Sequence, residues 1–146
     1  MALKIPKSNF RFIENDFSDI IMEIRDGAQG LPSSARTIRK TIVFNDLSKM
    51  YCVEEIDRNG GFIELYWYDW YDWYDWYDWY DWYDDQKELI MKFHAHYHPD
   101  ETPANITMYD PFHIHTANER RLNNEKFQEL YTILEFIKLR NISIKL

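Results

Sequence analysis

The sequence predicts an α+β protein, in which a twisted antiparallel β-meander carries a C-terminal helix packed on it. Two observations lead to this fold class. The 146 residues have the length of one ordinary domain, and 45% of them are hydrophobic. Short β-prone runs separated by turn sequences occupy the middle of the chain, and a helical pattern follows them. Residues 1–146 are therefore expected to form a single domain.

The composition excludes several classes of protein. No apolar run reaches the roughly 18 residues needed to span a bilayer, and the N-terminal residues lack the long apolar core of a secretory signal. Cys52 is the only cysteine, so no internal disulfide can form and a reducing compartment is expected. The sequence thus predicts a cytoplasmic protein without a membrane partner.

The first forty residues give an ambiguous pattern. The run from Asp19 to Asp26 is too short for its periodicity to distinguish a strand from a helix. Residues 27–34 form a loop-type sequence that contains glycine, proline and serine. This part of the chain therefore gives one loop and one undecided element.

Four β-prone runs then predict consecutive antiparallel strands. These runs are residues 37–44, 50–56, 61–68 and 89–97. Residues 45–48 and 57–60 separate the first three runs, and both have the Asn, Asp, Ser or Gly content of turns. Sequential strands joined by such turns make a meander.

A helical pattern near the C-terminus predicts the packed helix. Apolar residues recur there at the three-to-four spacing of one buried face. These residues are Phe127, Leu130, Tyr131, Leu134 and Ile137. Asn123 or Asn124 is the expected N-cap. The helix is expected to run to about Leu139, with Asn141 as its terminator.

Residues 67–84 are six perfect copies of Trp-Tyr-Asp and contain all six tryptophans of the chain. The repeat has six aspartates and no cation, so the remaining chain has 17 basic and 19 acidic residues. Its net charge is therefore only -2, against -8 for the whole chain. Neither part has the basic surplus typical of strong nonspecific nucleic-acid binding.

The period of three fits no ordinary amphipathic element. On a helix the Trp stripe drifts around the axis, and on a strand both faces become mostly aromatic. Without five of the copies, the flanking β-prone runs make a standard hairpin with a short polar connection. We interpret residues 67–84 as a low-complexity insertion at the tip of this hairpin, because loop-closure entropy grows slowly with length.

Three roles for the repeat remain open. It lengthens the hairpin without chemistry, or it offers an aromatic platform on which bases or carbohydrate stack. In the third role it is a surface for self-association or for another partner, which includes a homo-oligomer.

All five histidines lie between residues 94 and 115. The first group is His94, His96 and His98, and the second is His113 and His115. Because strand side chains alternate between faces, histidines two residues apart share a face wherever their segment is a strand.

Three interpretations of these histidines remain open. In a metal-free site, one imidazole takes the ribose 2′-OH proton of RNA and another protonates the leaving 5′-oxygen. In a zinc site, three neutral imidazoles bind the ion and leave a fourth position open. Asp100, Glu101 and Asp110 are near enough in sequence to be ligands or outer-shell partners of that ion. The last interpretation is a His-rich surface without chemistry.

We favour the metal-free acid–base site, which needs no cofactor. Its candidate catalytic residues are His98, His113 and His115, joined by His94 and His96. Arg120 and Arg121 follow the second group closely and are the candidate phosphate-binding residues, because a guanidinium binds phosphate through two hydrogen bonds.

The order of these elements resembles a known family. A β-meander with a Tyr-rich hairpin leads to the step His98-Pro99, then to a Pro-x-His-x-His motif at residues 111–115, then to a helix. This order resembles the TumE-like toxins, small proteins of bacterial toxin–antitoxin pairs, over residues 37–139. Tyr97 and Phe112 stand where that family has histidines.

The resemblance implies a function and a partner. It implies a cytoplasmic, growth-inhibiting toxin of a prokaryote, neutralised by an antitoxin that has a DNA-binding domain. RNA is the substrate that we expect for such a toxin, which would make the protein a ribonuclease.

Overall fold

The fold is described from a computed structural model that covers residues 3–73, 87–95, 112–118, 120–124 and 126–145. Eight strands and two helices lie in these ranges. The strands are β1 (Ile5–Pro6), β2 (Ile21–Asp26), β3 (Thr37–Phe44), β4 (Lys49–Ile56), β5 (Phe62–Trp73), β6 (Lys87–Ala95), β7 (Phe112–Thr116) and β8 (Arg121–Asn123). The helices are α1 (Phe10–Asp16) and α2 (Leu130–Lys145).

All the described strands belong to one antiparallel sheet. Strands β2 to β8 are neighbours in the order in which they follow one another along the chain, and β1 pairs with the start of β5. Each consecutive pair is antiparallel. The predicted α+β meander with a C-terminal helix is therefore confirmed.

The four predicted strands all form, and residues 96 and 97 of the fourth predicted run lie outside the described residues. Strand β3 has the predicted bounds, and β4 begins one residue earlier than predicted. Strand β5 continues to Trp73 and so includes the first two copies of the repeat. The hairpin pairing of β5 with β6 is confirmed by the register from Tyr66–Ala95 to Trp73–Lys87.

The ambiguous N-terminal region contains both a helix and a strand. Asn9 caps α1, because its side-chain oxygen accepts a hydrogen bond from the Phe12 amide at 3.0 Å. Residues Ile21–Asp26 form β2, which resolves the undecided run as a strand. Its pairing with β3 depends on contacts distant in the sequence, which the pattern of so short a run could not predict.

The predicted bounds of the C-terminal helix are wrong at both ends. Asn124 forms a tight turn instead of a helix cap, because its side-chain oxygen accepts from the Phe127 amide at 2.8 Å and its amide group donates to the Phe127 carbonyl. The helix α2 begins at Leu130 and continues through Asn141 to Lys145. In the described ranges, neither helix is long and apolar enough to cross a bilayer.

The core lies between one face of the sheet and the two helices. Alternate residues of β5, namely Tyr66, Tyr68 and Trp70, are fully buried there. They join Phe93 of β6, and α2 closes the core with apolar residues such as Leu134. Complete burial of each large apolar side chain stabilises the fold by about 1.5–3 kcal/mol. The intervening residues of the same strands lie on the opposite face, which we call the histidine face.

Candidate functional site

Three of the five histidines meet on the histidine face. His94 of β6 lies directly opposite His113 of β7, and His115 follows two residues further along β7. Because side chains two residues apart on a strand share a face, the pairing of β6 with β7 brings all three imidazoles together. We call His94, His113 and His115 the histidine cluster.

The three rings of the histidine cluster are in mutual contact distance. The ring centroids of His94 and His113 are 5.4 Å apart, and the other two pairs are each 4.9 Å apart. One nitrogen from each ring lies within 4.8 Å of the others. This convergence places three groups that carry protons or bind metals at one spot.

Asp69 of β5 orients His94. Its carboxylate oxygen Oδ1 lies 2.9 Å from His94 Nε2. Because an ionised carboxylate only accepts hydrogen bonds, Nε2 is the donor to Asp69, and Nδ1 is the ring nitrogen left to accept a proton or bind an ion. The arrangement is the carboxylate–imidazole pair that catalytic bases and metal ligands share.

The sequence analysis did not identify Asp69 as a site residue. It belongs to the first copy of the repeat, which was interpreted as part of an insertion. The register of the β5–β6 hairpin identifies Asp69 as a neighbour of His94. Trp67 is directly opposite His94, and Asp69 follows two residues later on the same face, so it lies diagonal to His94.

The site is sheltered and yet reachable from solvent. His113 is 4% exposed, whereas the side chains of His94 and Asp69 are 12% and 19% exposed. His115 is half-buried. Polar groups in such a partly dry place interact more strongly than in water.

Aromatic residues and a cation share the histidine face. The Trp67 ring meets the His94 ring edge to face, with centroids 6.5 Å apart. Tyr51 and Tyr71 form a second aromatic pair, at 5.9 Å. Lys92 is the cross-strand partner of both Asp69 and His115, so strand register places a cation beside the histidine cluster.

The other candidate residues have different positions. His96 and His98, as well as Asp100, Glu101 and Asp110, lie outside the described residues. Arg120 is exposed in the turn between β7 and β8, where its amide donates to Thr116 Oγ1 at 3.2 Å. Arg121 is the cross-strand partner of His115. The structure thus brings together three of the predicted histidines and places Arg121 on β8, the strand next to β7.

A second polar cluster lies in the core, where its hydrogen bonds satisfy a buried carboxylate. Glu54 is fully buried and accepts hydrogen bonds from Tyr68 Oη at 2.5 Å and from the Ser8 amide at 3.0 Å. Burial raises the pKa of the Tyr68 hydroxyl, and Glu54 adds to the increase. Burial likewise raises the pKa of the Cys52 thiol, so this cysteine stays protonated and is a poor nucleophile.

Comparison with known proteins gives no relative: no family model, curated protein or solved structure matches the chain. The resemblance to the TumE-like toxins and the function that it implies stay predictions.

Proposed function

We propose that the protein is a ribonuclease toxin of a toxin–antitoxin pair, with the histidine cluster as a metal-free acid–base centre. The observation that carries this proposal is the convergence of three imidazoles beside the Asp69–His94 hydrogen bond. Imidazole titrates near neutral pH, so neighbouring rings can supply one neutral base and one charged acid in the same site.

The chemistry divides between two rings. His94, oriented by Asp69, takes the ribose 2′-OH proton at Nδ1. The 2′-oxygen then attacks the adjacent phosphorus, and the bond from phosphorus to the 5′-oxygen breaks. His115, which is less buried than His113, donates its proton to that 5′-oxygen. The products are a 2′,3′-cyclic phosphate and a 5′-hydroxyl.

RNA as the substrate is supported by the neighbours of the histidine cluster. Trp67 and Tyr51 offer aromatic surface on the same face, and base stacking on such rings is worth about 1–3 kcal/mol per base. The cation of Lys92 is suited to a phosphate beside His115. This combination favours a single strand of nucleic acid.

The partner and the location belong to the same proposal and derive from the resemblance. The expected partner is a cognate antitoxin with a DNA-binding domain, and the expected location is the cytoplasm. A gene for a small helix-turn-helix regulator beside the gene of this protein would support the pairing.

The test is cleavage of labelled RNA by the purified chain in the presence of a chelator. His94→Ala and His115→Ala, which remove the proposed base and the proposed acid, should each lower the cleavage rate by about 10²–10⁴-fold and should abolish growth inhibition in cells. Circular dichroism and the unfolding midpoint report whether each variant is still folded. Cleavage that survives the double substitution would overturn the proposal.

A further inference from the structure

We infer that the histidine cluster also binds zinc, as an ion that inhibits the proposed acid–base chemistry, with His94, His113 and His115 as the ligands and Asp69 as an outer-shell partner. This inference goes beyond the proposed function, which needs no metal. It rests on the placement of ring nitrogens and on the Asp69 hydrogen bond, and neither depends on RNA cleavage.

The ligand set matches the preference of the ion. Zn²⁺ binds imidazole nitrogen at about 2.0–2.1 Å, and catalytic zinc has three protein ligands with a fourth position open. Two nitrogens on one tetrahedral ion are therefore about 3.3 Å apart. One nitrogen from each ring of the histidine cluster lies within 4.8 Å of the other two, so these atoms must approach one another by up to about 1.5 Å to bind one ion.

The backbone already holds the ligands in register. His94 and His113 are directly opposite each other in the β6–β7 pair, and His115 follows His113 on the same face. Two ligands thus come from one strand and the third from its neighbour.

The Asp69 hydrogen bond is a second, independent observation. A histidine that binds a metal generally donates its other N–H to a carboxylate, a carbonyl or a water. His94 donates Nε2–H to Asp69 at 2.9 Å, which leaves Nδ1 to bind the ion. The carboxylate also supplies a negative charge close to the dication.

Zinc binding would compete with the proposed chemistry. The ion takes the lone pairs that a base needs and keeps the imidazoles from carrying protons. Bound Zn²⁺ is therefore expected to inhibit RNA cleavage by the acid–base mechanism. Cleavage that requires added zinc would instead overturn the metal-free mechanism and support the zinc site.

The test is titration of the full chain with Zn²⁺ by calorimetry after treatment with a chelator. One ion per chain is expected, and the His113→Ala/His115→Ala double variant should lose this binding. Cobalt(II) is the spectroscopic probe, because its visible absorption is much stronger in a tetrahedral site than in an adventitious octahedral site. The absence of binding by the full chain, or its survival in the double variant, would overturn the inference.

Two aspartates of the repeat provide a matched pair. Asp69→Asn should weaken zinc binding by about 10–100-fold, since outer-shell partners have effects of this size. Asp72→Asn removes the same charge from the next copy, on the opposite face of β5, and should leave the affinity unchanged. Equal affinities of these two variants would contradict the role of Asp69. A folded chain that binds zinc and does not cleave RNA would separate this inference from the proposed function.

Discussion

The two faces of β5 have the same residue types and different surroundings. On the core face, Tyr68 and Trp70 are fully buried, and Trp70 Nε1 donates to Ser48 Oγ at 3.0 Å. On the histidine face, Trp67 lies edge to face with His94, and Asp69 accepts from that ring. All four residues come from the first two copies of one repeat.

The difference shows that position in the sheet, and not residue type, decides what each residue does. A repeat of period three on a strand of period two moves each residue type to the other face in the next copy. One tryptophan therefore enters the core while the preceding one lies beside the histidine cluster. Substitutions on the core face should change stability, and those on the histidine face should change chemistry.

The largest effect is expected for Trp70→Ala. Removal of this buried ring should lower the free energy of unfolding by about 3–5 kcal/mol, as for other large core residues. Trp67→Ala should cost much less stability, because Trp67 is only partly buried. Urea unfolding of both variants measures the difference, and equal losses would show that the two faces are not distinct.

Two stacked tyrosines sharpen the description of the core face. Tyr66 and Tyr68 are both fully buried, with rings 4.3 Å apart, but only the Tyr68 hydroxyl donates to Glu54. Tyr68→Phe should therefore lower the free energy of unfolding by about 1–3 kcal/mol.

Tyr66→Phe is the matched control. Within the described residues the Tyr66 hydroxyl is buried without a hydrogen-bond partner, so its removal should be neutral or stabilising. Neither variant should alter RNA cleavage, because both rings lie on the core face. A larger loss for Tyr66→Phe than for Tyr68→Phe would contradict this account.

Shortening of the repeat tests whether its later copies matter. Deletion of residues 76–84 removes three whole copies and leaves four residues between Trp73 and Lys87, which are paired in the sheet. A four-residue hairpin connection is common. The free energy of unfolding should rise by no more than about 1 kcal/mol, because a shorter connection costs less entropy to close. RNA cleavage should persist.

The same deletion distinguishes the proposed enzyme from a binding module. If the aromatic repeat is a partner surface, the shortened chain should lose partner binding or self-association while it stays folded. Size-exclusion chromatography and binding to the proposed antitoxin report that outcome. Loss of RNA cleavage by a folded shortened chain would show that the later copies serve the site.

The smallest effect is expected for the ion pair of Asp19 with Lys138, which lies away from the histidine face. The ammonium donates to the carboxylate at 2.9 Å and lowers the pKa of Asp19 below 3.8. Its stabilisation is therefore present above pH 3.8 and is lost as the pH falls through the lower pKa of the folded state.

Asp19→Asn should lower the unfolding midpoint slightly at pH 7, because both side chains are partly exposed and water weakens their attraction. The difference between this variant and the wild type should shrink as the pH falls through the folded-state pKa of Asp19. Thermal unfolding at several pH values measures it. A difference that grows in acid would contradict the assigned direction.

Much of the sheet could be predicted because its signals are local. The runs that form β3 and β4 have β-prone residues between turn sequences, and their bounds agree with the prediction within one residue. The short elements β1, α1, β7 and β8 were not predicted, since a few residues carry too little periodicity. The predicted start of α2 was wrong because the Asn124 side chain accepts the Phe127 amide in a separate turn. The sequence around Asn124 does not distinguish this turn from a helix cap.

The sequence by itself determined the α+β meander and the confinement of the histidines to residues 94–115, and it placed His113 and His115 on a shared face only if their segment is a strand. Only the tertiary structure decided that His94 joins them and that Asp69 orients it. The physical reason is that both contacts depend on register between strands distant in the chain. Six identical copies offer six equivalent aspartates, and the sheet alone selects Asp69 among those described.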